Sequence, residues 1–158
     1  MNDITSNDLS ATPARTTSKP APLTPKVGDV IRYEFLWPDG AERGLDSDKD
    51  RPCAVVVSKH VGDDHVVFVV PITTVDPKDP RAIPLQSGGA LGLKAKSWII
   101  PWALNTFRWM GPDVRHAPDP KGAFWRYGQL ATSTRNALAA AIELEIGRKR
   151  SLIVKRTE

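Results

Sequence analysis

The chain has 158 residues, 22 Lys and Arg against 18 Asp and Glu, and a net charge of +4. It is long enough for one domain with a usable core, and mildly basic, which permits a polyanionic partner without demanding one. A single cysteine excludes an intramolecular disulfide and a thiolate metal site. Every apolar stretch falls far short of the ~20 residues of a membrane helix, and the N-terminus has no charged-then-apolar signal pattern, so a soluble cytoplasmic protein is expected.

Residues 1–26 are rich in Ser, Thr, Pro, Ala and Asp, with few large apolar side chains, and are expected to form a disordered tail ahead of a barrel domain at 27–158. Gly28-Asp29 reads as a turn, and Val30, Tyr33 and Phe35 as the first strand. Trp37-Pro38-Asp39-Gly40 breaks it, and the polar segment to Asp50 reads as a long loop. A second strand is expected from Pro52 to Ser58 and a third from about His65 to Ile72, joined by a hairpin turn at Gly62-Asp63-Asp64. Both are nearly continuous apolar runs, as where a small sheet curls and is covered on both faces. A short edge strand fits Ile83 to Gln86, a firmer element Ser97 to Trp102, and a strand Phe124 to Leu130 after a loop from Trp109 to Lys121. The helical period appears only from Thr134 to Ile146, with Leu138, Ala141, Ile142 and Ile146 on one face, Thr132 or Ser133 as cap and Gly147 as stop. Leu152-Ile153-Val154 is a possible closing strand. The pattern predicts a mainly β (α+β) fold, a curved barrel of five to seven strands with a C-terminal helix.

Arg51 opens the second strand and Thr73 ends the third, so antiparallel neighbours would bring both to one rim. Cys53, in an apolar run, reads as a small buried hydrophobe. The order Gly28-Asp29-Val30, then Arg51-Pro52 leading into Val55-Val56-Val57-Ser58, then Pro71-Ile72-Thr73, resembles the PemK/MazF toxin family. Gly92-Leu93-Lys94, Ser97-Trp98-Ile99-Ile100, Gly128-Gln129-Leu130 and the Ala/Leu-rich Arg135–Ile146 continue the likeness over roughly residues 27 to 146. The resemblance implies an SH3-like barrel, a homodimer, and an endoribonuclease that cuts single-stranded RNA without a metal or other cofactor. It also implies a cognate antitoxin with an acidic flexible segment.

The resemblance gives Arg51 and Thr73 catalytic roles. A guanidinium can bind two phosphate oxygens and stabilise the phosphorane's added charge, and a threonine hydroxyl can bind phosphate or orient the 2′-hydroxyl. The structural alternatives are an arginine paired with Asp46, Asp48 or Asp50, and a threonine satisfying a turn. Thr74 should face the other way. Where the family carries an acid, a Gln and then Arg-Thr after the Ser-led strand, this chain has Trp102, Ala103, Asn105 and Thr106. About residues 109–123 are an insertion. Trp102, Asn105, Thr106, Arg108 and Arg126 are the expected RNA contacts, Trp102 as a base-stacking platform worth ~1–3 kcal/mol per base. Trp98 reads as core, and Trp37, Trp109 and Trp125 as possible groove lining. His60, His65 and His116 lie near loops and read as surface residues, and Arg148-Lys149-Arg150 as a complement to the helix dipole. A non-catalytic RNA- or protein-binding module of the same fold is the alternative function, and a gyrase poison a lesser one.

Overall fold

The computed structural model describes residues 23–38, 49–149 and 151–156. Three strands, β1 (Asp29–Phe35), β2 (Lys49–Val61) and β3 (Asp64–Thr73), form an antiparallel meander. There follow β4 (Ile83–Leu85), β5 (Ser97–Ile99), β6 (Ala103–Arg108), β7 (Val114–Arg115), β8 (Arg126–Gln129), the helix α1 (Thr132–Gly147) and β9 (Leu152–Lys155). The sheet runs β4-β5-β3-β2-β1-β7, with β6 between β3 and β9 and with β8 on β1. Every pairing is antiparallel except β6 with β9. The protein is mainly β, a curled sheet with one C-terminal helix.

Period-two alternation explains the unbroken apolar runs. Ile31, Tyr33, Cys53, Val55, Val67 and Val69 build one core, whereas their neighbours Val30, Ala54, Val70 and Leu104 build another under Leu138 of α1. Each fully buried valine or isoleucine contributes about 1.5–3 kcal/mol, so two-sided burial is what commits these segments to the sheet. Between Val55 and Val57 the β2–β3 register shifts by one residue, a bulge that swaps the face on which later β2 residues project. Gly62 closes the hairpin with φ +62°, the positive value required at the first central position of a II′ turn.

Prolines mark where strands change partner. Pro71 stands in β3 between the residues paired with β6 (Val66–Val69) and those paired with β5 (Ile72 and Thr73), and its carbonyl accepts from Ile100 N–H at 3.0 Å. Arg32 gives its N–H to Trp125 O at 3.0 Å, so its partner Pro52 lies in a non-hydrogen-bonded pair. The N–H that proline lacks would point to the β3 side, where the ladder has ended at Cys53–Pro71.

Several sequence expectations need correction. Nine strands form among the described residues, where five to seven were expected; β4, β5 and β7 have three residues or fewer. The element expected at Ser97–Trp102 stops at Ile99, and Ala103–Arg108 is a separate strand recruited by the free edge of β3. The loop expected from Trp109 contains β7, which docks on β1. β2 starts at Lys49 and so includes Asp50 and Arg51. Helix α1 starts two residues early, with Ala131 at its N-cap and no side-chain cap from Thr132 or Ser133. At its end Lys149, at φ +56°, takes the left-handed conformation expected of Gly147, which is itself helical.

Residues 23–26, assigned to the tail, run against the sheet: Ser58 Oγ donates to Pro25 O at 2.6 Å and Trp109 Nε1 to Leu23 O at 3.0 Å. The rest of the expected tail, 1–22, and most of the loop after Trp37 lie outside the described residues. Among the described residues no helix is long and apolar enough to cross a membrane.

Candidate functional site

The Gly28-Asp29 turn comes first in the chain and anchors the sheet. Gly28 has φ +95°, which selects glycine, and a Cβ there would also have to displace the Arg135 side chain, whose Cδ would lie 2.2 Å away. Asp29 is 2 % exposed; its carboxylate accepts from Lys26 N–H at 2.8 Å and Gln129 Nε2 at 3.0 Å and pairs with Arg126 Nε at 3.2 Å. This carboxylate therefore ties the entering chain to β8. Arg126, expected to touch RNA, is held in that contact.

At the other end of β2 the expected pair does come together. The register Cys53–Pro71, continued by two residues, sets Arg51 opposite Thr73 on the same face where the strands part. Both line an open cleft of about 430 Å³ together with Trp37, Lys49 and Asp50. Arg51 is 8 % exposed, and its guanidinium carbon lies over the Trp37 ring, 5.2 Å from its centre, a cation–π contact at the cleft wall. Thr73 Oγ1 accepts from Val75 N–H at 3.1 Å, the turn-capping role of the structural alternative. Its hydroxyl proton is not used in that bond and can still be donated.

Of the carboxylates suggested as partners for Arg51, Asp46 and Asp48 lie outside the described residues. Asp50 pairs with Arg32 at 3.4 Å and Arg115 at 3.9 Å. A second cleft of about 280 Å³ adjoins the first, sharing Asp50, Arg51, Pro52, Ile72 and Thr74 and adding Arg32, Lys94, Asp119 and Tyr127. Thr74 thus borders both clefts, although strand alternation pointed it away. Positive charge from Arg32, Lys49, Arg51 and Lys94 exceeds that of Asp50 and Asp119, the only carboxylates among the described lining residues. Burial raises the Tyr127 phenol above its ordinary pKa, with Arg32 opposing, so it stays a hydrogen-bond donor at neutral pH. Trp37 was expected only as groove lining and does border the cleft, whereas Lys49, Lys94 and Tyr127 were not singled out; the Gly-Leu-Lys segment of the resemblance contains Lys94 and the Gly-Gln-Leu segment follows Tyr127.

The remaining expected contacts go elsewhere. Trp102 lines neither cleft: Arg81 stacks over its ring at 4.1 Å and pairs with Asp79 at 2.7 Å and Glu145 at 3.0 Å. Asn105 is fully buried, donating from Nδ2 to Leu36 O at 2.8 Å and accepting Leu36 N–H at 2.9 Å, with Arg156 Nη1 at 3.2 Å. An amide fits there because it satisfies a backbone donor and a backbone acceptor at once. Thr106 and Arg108 border a different cleft, beside Asp64 and Lys155.

Trp125 is 3 % exposed, with Trp109 edge-on at 4.8 Å, so both pack internally and only Trp37 reaches the Arg51 cleft. Trp98 is half-buried, with Ser97 and Ile99 the buried members of β5. Cys53 is buried as expected, and desolvation drives its thiol pKa up against the opposing Arg51 charge, which makes it inert. Compared with known proteins, the chain matches no family model and no curated sequence.

Proposed function

We propose that the protein is a metal-independent endoribonuclease toxin acting on single-stranded RNA, on an SH3-like barrel related to PemK/MazF. The observation that carries this reading is the meeting of Arg51 and Thr73 in one cationic cleft. In the reaction the 2′-oxygen loses its proton and attacks phosphorus, the P–O5′ bond breaks, and the leaving oxygen takes a proton. The products are a 2′,3′-cyclic phosphate and a 5′-hydroxyl. Arg51, over the Trp37 ring, receives the charge that develops on the phosphorane oxygens, and Thr73 donates to a phosphate oxygen or orients the 2′-hydroxyl. Tyr127 and Lys94 extend the contact to a neighbouring nucleotide. A homodimer and an antitoxin with an acidic flexible segment belong to the same reading, since such a segment would compete for the cationic clefts.

One observation favours the alternative of a non-catalytic binding module. The positions aligned with the family's acid and arginine, Trp102 and Asn105, are engaged in fold contacts. Induced expression separates the two: the nuclease arrests growth and Arg51→Ala relieves the arrest, whereas a binding module leaves total RNA intact.

A further inference from the structure

An open cleft of about 580 Å³ lies away from Arg51 and is bordered by Asp64, Val66, Thr106, Arg108 and Lys155, with Phe107 and the buried Arg156 behind them. Its residues come from neighbouring strands in register: Thr106 of β6 stands beside Lys155 of β9, and Arg108 beside Val66 of β3. Val66 in turn pairs with Lys59 of β2. Beyond the bulge, Lys59 projects on the same face as Val66, so the bulge adds a cation that unbroken alternation would have sent to the opposite face. This is the helix-bearing face of the sheet, opposite the one to which Arg51, Cys53 and Val55 belong. Eight residues of β2 separate Arg51 from Lys59, roughly 25 Å at strand rise.

Lys59 and Lys155 are exposed and have no ion pair among the described residues. Arg108 pairs with Asp64 at 3.8 Å, with both side chains more than half exposed. Among the described residues, Lys59, Arg108, Lys155 and the Thr106 hydroxyl share this open face with Asp64. Among the described residues no histidine or cysteine borders the cleft, and it is open rather than enclosed, which suits a flexible polyanion better than a small molecule.

We infer that the Lys59, Arg108 and Lys155 face is a second contact surface for single-stranded nucleic acid, holding sugar-phosphate backbone outside the Arg51 cleft. The inference rests on RNA as the polymer bound in the proposed function. A chain of several nucleotides rounding the sheet edge would engage both places, and the far contacts would add affinity without base preference.

The test uses a fluorescein-labelled single-stranded DNA oligonucleotide, which has the same backbone and no 2′-hydroxyl to react. Its affinity is measured by anisotropy as a function of salt. For Lys59→Ala/Lys155→Ala the affinity falls for every sequence tried, and the slope of log K against log salt shrinks by about 1.4, at about 0.7 per single-strand phosphate contact. Lys59→Arg/Lys155→Arg keeps the wild-type slope. The control Lys78→Ala/Lys121→Ala, with the same loss of net charge, also keeps it.

Failure of the wild type to bind overturns the inference, as does an equal slope change in the control pair. RNA cleavage that needs Arg51 but binding indifferent to Lys59 and Lys155 overturns the second surface and leaves the nuclease standing. Absence of cleavage with binding still dependent on Lys59 and Lys155 supports the surface and removes the nuclease.

Discussion

At the scale of single residues, polar groups were the hardest to read, because their partners are distant in sequence. Asn105 looks like a groove residue when aligned on Ser97, yet Leu36, 69 positions away, takes both ends of its amide. Asn105→Ala leaves a buried N–H and a carbonyl without that partner and should cost about 2–3 kcal/mol, read as a lower urea midpoint with little change in slope. Trp102→Ala should behave in the same way. It removes ring packing and the stacked Arg81, for about 2–4 kcal/mol, so any loss of RNA binding should track unfolding and vanish at low temperature where the variant is folded. Binding lost by a fully folded Trp102→Ala would restore the stacking-platform role. Arg51 and Thr73 were legible because strand alternation and antiparallel order are local rules, and two strands suffice to bring them together.

At the scale of elements, β1, β2, β3 and α1 were legible from their apolar periods, while β5 was drawn three residues too long and β6 and β7 were missed. β5 and β7, of three and two residues, carry too little period of their own; they exist because β3 and β1 offer free edges. In α1 the expected face was right at Leu138 and failed in the last turn, where Glu145 is 1 % exposed and Ile146 is 57 % exposed. Arg81 arrives from the β3–β4 connection to pair with that glutamate, which no helical wheel contains.

The β2–β3 hairpin holds a titrating device of its own. Ser58 Oγ, having given its only proton to Pro25 O, accepts from His65 Nε2–H at 2.6 Å. His65 Nδ1 is therefore the unprotonated nitrogen, and it is buried with no hydrogen-bond partner. Burial, and then the nearby His60, lower the His65 pKa from its ordinary 6.5. Above 6.5 the ring is neutral in both folded and unfolded chains, so its contribution to stability is intact there. As pH falls the unfolded chain takes the proton first, and stability is lost until the native ring titrates at its lower value. Between about pH 7 and pH 5 the wild type should lose more stability than His65→Gln, and parallel urea-derived stability curves for the two would contradict this.

At the scale of the whole molecule, the expected site residues divide between places with different work. Arg51 and Thr73 share a cationic cleft at one end of β2, Thr106 and Arg108 belong to the helix-bearing face, and Asn105, Arg126 and Trp102 hold the sheet and its connections together. This division follows from the sheet's two covered faces and the bulge after Val55, neither of which a linear pattern displays. It also makes the central claim depend on very few groups. The most direct test incubates the purified protein with single-stranded RNA in the presence of a chelator and maps the new ends. The account predicts 5′-hydroxyl and 2′,3′-cyclic phosphate ends that form at a rate lowered about 10²–10³-fold by Arg51→Ala. Intact RNA, or cleavage at an unchanged rate in a folded Arg51→Ala variant, would contradict it.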